Sequence, residues 1–288
     1  VARNRFIIVA LGAFLITISI TALVLSLTNI SYARKNKRNV ILLISDGFGP
    51  ASQTFGRSYY QFVNDLPWNH TTSLDKLLVG SSRTRSSNSL VTDSAAGATA
   101  FSCALKTYNA AIGVDPDQQP CGTILESAKA KDMVTGLVVT SRITHATPAS
   151  FSAHVIQRNM ESEIAVQQIG DYPLGRQVDL MFGGGRCFFL GNSTDGSCRT
   201  DSRDVISDAK KRFHYLSTRK EFENIEIKKD SLPIMGLFTL DHMSYEIDRD
   251  PAVEPSLKEM SVKALELLTK ATENSDEGFF LMIEGSRI

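Results

Sequence analysis

NVILLISDGFG, Asn39 to Gly49, decides the fold: five aliphatic residues, Val40 to Ile44, run without a break and stop at Ser45-Asp46-Gly47. A strand with one wet face alternates apolar and polar residues, so an unbroken run closed by a turn-forming Asp-Gly pair reads as a buried strand of a parallel sheet. Such a strand delivers Asp46 at its carboxyl end. The rhythm recurs in Met133 to Thr140 before Ser141, in Val178 to Phe182 before Gly183-Gly184-Gly185, and in Gly278 to Ile283 ending at Glu284. With helical stretches between, the chain reads as an α/β domain, a central, mostly parallel sheet flanked by helices. Ligands of doubly wound sheets bind outside the carboxyl ends of the strands, so Asp46, the loop after Thr140 and Glu284 are expected along one edge. Asn192 to Pro255, rich in charge and poor in periodicity, reads as an insertion over the sheet.

The second informative stretch is VTDSAAGATA, Val91 to Ala100, which sets Ser94 between an aspartate and an alanine-rich run suited to starting a helix. A helix N-terminus carries roughly half a positive charge and unpaired N–H groups, which hold phosphate and ease ionisation of a hydroxyl. Ser94 is therefore the candidate nucleophile, although capping by Asp93 or Ser94 explains the same residues. Asp46, Thr147 and Glu284 offer two carboxylates and a hydroxyl, the all-oxygen set that magnesium prefers. Turn chemistry for Asp46 and an N-cap before Pro148 for Thr147 are the structural alternatives; Glu284, directly behind FFLMI, must find a partner or water. Arg158 presents a planar fork matched to two phosphate oxygens. A straight helix from Thr147 would carry it roughly 16 Å away, so spacing alone does not join the two.

Together with DGFG at Asp46, ITHATPASFSAHVIQR at Ile143 to Arg158 and FFLMIEGSRI at Phe279 to Ile288, these segments resemble the alkaline phosphatase family, and most closely its membrane-anchored fungal vacuolar members. The resemblance runs from about Asn39 to Ile288. It implies hydrolysis of phosphate monoesters through a phosphoserine on Ser94, with Arg158 clamping the phosphoryl group and Asp93 orienting that arginine. It also implies one magnesium ion, held by Asp46, Thr147 and Glu284, and two zinc ions, one sharing Asp46. His145 stands where bacterial members carry aspartate and would hold metal-bound water. Most zinc ligands of the family would fall beyond Ile288, so the chain is expected to be an N-terminal fragment, inactive alone, of a protein that dimerises when complete. Other metal-dependent hydrolases, a phosphodiesterase or sulfatase, and a non-catalytic anchored remnant are the rival readings.

With 42% hydrophobic and 22% charged residues the chain has material for a large core. Its 31 basic and 31 acidic side chains are unevenly placed: the first 38 residues hold six basic groups and no acid, which leaves the remainder net negative and argues against a nucleic-acid partner. Residues 6–27 carry no charge and are long enough to span a bilayer of roughly 30 Å. The expected organisation is a short cytoplasmic tail (1–5), a signal-anchor (6–27), a basic linker (28–38) and a partial catalytic domain (39–288). Three sequons, at Asn29, Asn69 and Asn192, favour a type II protein with a glycosylated lumenal body, vacuolar by resemblance. Cys103, Cys121, Cys187 and Cys198 lack metal spacing and suit either disulfides, in three possible pairings, or buried thiols.

Overall fold

Six short runs of the chain become one sheet in the computed structural model, which describes residues 19–21 and 37–288. They are β1 (Val40–Ser45), β2 (Val134–Arg142), β3 (Leu180–Gly184), β4 (His214–Leu216), β5 (Ile234–Leu237) and β6 (Phe279–Gly285). The order across the sheet is β1-β6-β2-β3-β5-β4 and every pairing is parallel. The α/β reading holds, and the carboxyl ends of β1, β6 and β2 lie side by side as expected.

Alternation along β6 divides the core. Phe280 and Met282 point to one face, against Leu137, Val139, Met181 and Phe151. Leu281 and Ile283 point to the other, against Val138, Leu180 and the apolar stripe of a long helix, Leu257–Ala271, formed by Met260, Ala264, Leu267 and Leu268. That helix starts at a capping box in which Ser256 and Glu259 exchange bonds with each other's backbone. Each fully buried Leu, Ile or Phe contributes about 1.5–3 kcal/mol, so the two layers fix the register in which Asp46 and Glu284 meet.

β1 lies at an edge of the six described strands: Leu43 is 72% and Ile41 43% exposed, with β6 as its one sheet neighbour and no helix over that face among the described residues. Its outer face, with Leu257, Leu265, Ile283 and Ile288, lines a groove of about 1010 Å³. The segment Asn192 to Pro255 is not laid over the sheet as expected, since it supplies β4 and β5. Those strands have only three and four residues, too few for a periodic signal between charged neighbours. All four cysteines are paired, Cys103 with Cys121 and Cys187 with Cys198.

Arg38–Ile288 forms one compact unit. The expected membrane span and linker, residues 6–38, lie outside the described residues apart from 19–21, 37 and 38. Among the described residues no helix is long and apolar enough to cross a membrane.

Candidate active site

Helix α1 (Pro50–Val63) follows β1, a short α2 (Ser73–Lys76) comes next, and α3 (Ser94–Cys103) carries the alanine-rich segment. Asp93 is the N-cap of α3: its Oδ1 accepts the Ala96 N–H at 2.9 Å. That bond frees the Ser94 hydroxyl from capping, and the hydroxyl donates instead to Asp46 Oδ2 at 2.8 Å. The two residues come from opposite sides of the site, one from the end of an edge strand and one from the first turn of a helix. Alanine at 95, 96 and 98 lets α3 sink into the core, where all three side chains are buried.

Asp93 also binds the arginine. Its Oδ2 accepts from the Ala110 N–H at 2.9 Å and from Arg158 Nη1 at 3.2 Å. Arg158 Nη2 donates to His145 Nε2 at 2.9 Å. The 16 Å problem vanishes because the helix is short. After α4 (Ile124–Lys129), α5 spans Ala146–Ser152; the next residue, Ala153, is extended at φ −153° and ψ 163°, which turns the chain back along residues 110–113. The bond from Arg158 to Asp93, the neighbour of Ser94, depends on this reversal, which residue spacing does not reveal.

Thr147 lies in the first turn of α5 and is buried, as is Glu284 near the end of β6. Burial, helped by the nearby Asp46 charge, pushes the Glu284 carboxyl up to about 7 against the opposing hydroxyls of Ser286, Thr147 and Ser141. The Ser141 hydroxyl donates to Glu284 Oε2 at 3.3 Å, while Glu284 Oε1 has no hydrogen-bond partner among the described residues. A buried carboxylate oxygen without a donor is costly, and a hard cation satisfies it. Asp46, Thr147 and Glu284 therefore fit magnesium. Among the described residues no three His, Cys, Asp or Glu side chains group to hold a metal, so the ligands of a zinc centre would have to come largely from elsewhere.

His145 caps the entrance to α5 and is neutral, its pKa lowered to about 3 by burial and then by the Arg158 charge. Its Nε2 accepts from Arg158, and its Nδ1 is buried without a partner among the described residues. Sequence reasoning gave His242 no role, yet its ring stands edge-on to His145 at 5.1 Å. Arg142 lies against both ring nitrogens, its backbone N–H 3.2 Å from Nδ1 and its Nη1 2.7 Å from Nε2, of which a neutral imidazole accepts from one, while the same guanidinium forks onto Glu161 at 2.8 and 2.7 Å. The two residues are 100 positions apart, and no local pattern announces the pairing.

Gly47 lets the chain leave Asp46 at φ +91°, and a Cβ there would lie 2.3 Å from the Ile288 carbonyl oxygen. Gly47→Ala is expected to cost about 1–3 kcal/mol, read from the midpoint of denaturant unfolding; an unchanged midpoint refutes the close approach. A second expectation concerns pH. Glu284 has a folded pKa above the ordinary carboxylate value of 4.5, so between about 4.5 and 7 the folded, metal-free protein holds more protons than the unfolded chain and its stability falls as pH rises. Thermal melts of metal-free protein across that window should show the decline, and Glu284→Gln should flatten it.

The carboxyl edge of the parallel α/β sheet gathers a helix-borne serine, an arginine fork and an all-oxygen pocket that suits a hard cation. The sequence profile described as alkaline phosphatase matches residues 37–288, and the chain belongs to the alkaline phosphatase family. It is 54% identical over 252 residues to an alkaline phosphatase of Schizosaccharomyces pombe, covering 86% of this chain and 47% of that protein. It is 52% identical over 268 residues to the repressible alkaline phosphatase of Saccharomyces cerevisiae, covering 89% of this chain and 47% of that one. It also superposes with a TM-score of 0.68, at 36% identity, on a mutant alkaline phosphatase of the Antarctic bacterium TAB5 with magnesium bound in its M3 site, covering 88% of this chain and 64% of that one. The chain thus spans about half the length of the two fungal relatives.

Proposed function

We propose that the whole protein hydrolyses phosphate monoesters by two displacements, with Ser94 as the nucleophile. The observation that carries this reading is the Ser94 hydroxyl, released from capping and aimed at Asp46 at 2.8 Å on a helix N-terminus. In the first displacement the hydroxyl passes its proton toward the Asp46 carboxylate it already bonds, eased by the amides and dipole of α3, its oxygen attacks phosphorus, and the departing oxygen takes up a proton to leave as the alcohol. Arg158, held by Asp93, pairs with two non-bridging oxygens and offsets the charge on the transferring group. In the second, water attacks the phosphoserine from the side the alcohol left, restoring Ser94 and releasing inorganic phosphate. Magnesium at Asp46, Thr147 and Glu284, together with the two zinc ions that family resemblance adds, would supply positive charge that stabilises both oxygens in flight.

The same reading places residues 6–27 in a membrane, as a type II anchor with the catalytic domain inside the vacuole. It has Asn69 and Asn192, both exposed, carrying N-glycans, and two copies associating. Association is supported by the apolar surface that α1 and the loops after it leave open: Phe55, Phe62, Trp68, Leu77 and Leu78 are each at least 72% exposed.

The deciding experiment compares turnover of a phosphate monoester, a phosphate diester and a sulfate ester by one preparation of the whole protein, before and after chelation. Monoester turnover that chelation abolishes and divalent ions restore is expected. Preference for the diester or the sulfate ester would replace the reading with another hydrolase, and inactivity toward all three would leave an anchored non-enzyme.

A further inference from the structure

Arg158 is tied to more than Asp93. The segment before it, residues 153–156, is stitched to residues 108–113. Ile112 and Val155 exchange both backbone bonds at 3.0 Å, and the Tyr108 hydroxyl donates to the Ile156 carbonyl at 3.0 Å. The other strand of this seam holds the cap of α3: Asn109 Oδ1 accepts the Asp93 N–H at 3.2 Å and the Ala110 N–H donates to Asp93 Oδ2 at 2.9 Å. One short seam therefore carries the nucleophile's cap on one side and the arginine on the other.

At the inner end of the seam sits His154. Its Nδ1 is 2.7 Å from the Gly113 carbonyl oxygen and its Nε2 is 2.7 Å from Glu126 Oε1, on α4. Both side chains are 8% exposed. A carbonyl and a carboxylate are acceptors alone, so this geometry requires both ring nitrogens to donate and the ring to be charged. Glu126 matches it as an anion: it also accepts from the Tyr172 hydroxyl at 2.8 Å and the Thr123 N–H at 2.9 Å. Glu126 and Tyr172 are the titratable groups that face the imidazole. Burial alone would lower the His154 pKa, but the bonds to Glu126 and Gly113 raise it. His154's own backbone is pinned by a reciprocal pair with the Gln167 amide, at 2.8 and 3.1 Å. Position 113 must be glycine for the contact to form, since a Cβ would lie 2.3 Å from the Ala153 carbonyl oxygen and 2.9 Å from His154 Nδ1.

We propose that the buried His154–Glu126 pair is the positioning device that sets Arg158 against Ser94, acting through the seam between residues 108–113 and 153–156. The inference rests on the phosphomonoesterase reading above. His154 is four residues from Arg158 and makes no contact with the catalytic groups, so its effect on the reaction passes through the arginine. Cutting either bond of the imidazole frees the inner end of the seam, and the guanidinium then loses its registry with the first turn of α3.

The test is a double-mutant cycle in the whole protein, with His154→Gln and Arg158→Ala alone and combined, read as kcat, KM and inhibition by inorganic phosphate on p-nitrophenyl phosphate. His154→Gln is expected to lower kcat/KM by about a hundredfold, the scale of a misplacement near 1 Å, and to weaken phosphate inhibition in parallel. In the Arg158→Ala background it should cost almost nothing further. Glu126→Gln runs in the same cycle, because glutamine also serves the capping box on α4 and only the charge is removed; it decides the matter if the histidine variant does not fold. Near wild-type phosphate inhibition in a folded variant, or losses that add to those of Arg158→Ala, overturns the inference. A wild-type protein without monoester turnover sinks the proposed function and this inference with it, a result distinct from a variant-specific failure.

Discussion

Ser94→Ala in the whole protein is expected to lower phosphomonoester turnover by roughly a thousandfold or more, the scale on which nucleophile deletions act in serine hydrolases. Quenching with labelled substrate should trap phosphoserine in the wild type and none in the variant. The argument is geometric. The substitution removes one oxygen, the one 2.8 Å from Asp46, and leaves the cap of α3 intact because Asp93, not Ser94, accepts the Ala96 N–H. Alanine also suits a helix start that already runs Ala95-Ala96, so the fold should melt within a degree or two of wild type. Loss of activity without loss of fold is the signature. Turnover within about tenfold of wild type would move the nucleophile elsewhere, since activity at that level exceeds what binding and electrostatics alone sustain.

Arg158→Ala is expected to reduce kcat/KM by about a hundredfold to a thousandfold, as losing a charged donor at a transition state does. The variant should also weaken inhibition by inorganic phosphate, which presents the same oxygens as the transferring group. Arg158→Lys should recover little: an ammonium places its charge but cannot fork across two oxygens while also keeping Asp93 and His145 as partners. The neighbours sharpen the expectation. His145 is neutral, with its pKa near 3 under burial and the arginine's charge, so it accepts from Arg158 without competing as a cation. If the alanine variant keeps its affinity for inorganic phosphate, the arginine serves the fold rather than the anion.

Much of the site was legible in the sequence because strands of a parallel sheet announce themselves as aliphatic runs and end at their functional residues. Asp46 and Glu284 stand at the carboxyl ends of β1 and β6, as the runs before them implied. Ser94 opens its helix, with Asp93 taking the capping role that local chemistry left open between them. The illegible parts are those decided at long range. β4 and β5 are too short to show a period. Arg158 reaches Asp93, the residue before Ser94, only because the chain after Ala153 runs back along residues 110–113, and neither partner of that seam is marked by composition. The disulfide pairs and the His242–Arg142 contact depend on the same kind of closure. The exposure of β1 depends on which neighbours the described residues supply: an aliphatic run reports affinity for apolar surroundings, not whether a neighbour is present to provide them.

The strand order β1-β6-β2 has a consequence for how a ribosome makes this protein. β1 precedes the other five described strands, yet its one sheet neighbour among the described residues is β6, the last of those six in chain order. At the usual elongation speed, on the order of ten seconds to a minute separates the emergence of Asp46 from that of Glu284. Throughout that interval β1 waits as an unpaired, aliphatic strand edge, the kind of surface that invites pairing with another nascent chain. Wedging β6 between β1 and β2 is a non-local event, so the cation pocket closes only after the whole stretch from Asp46 to Glu284 has been made. Synthesis pauses between the codons for β1 and those for β6 would prolong that exposure, and holdase chaperones acting on nascent chains are expected to dwell on residues 40–45.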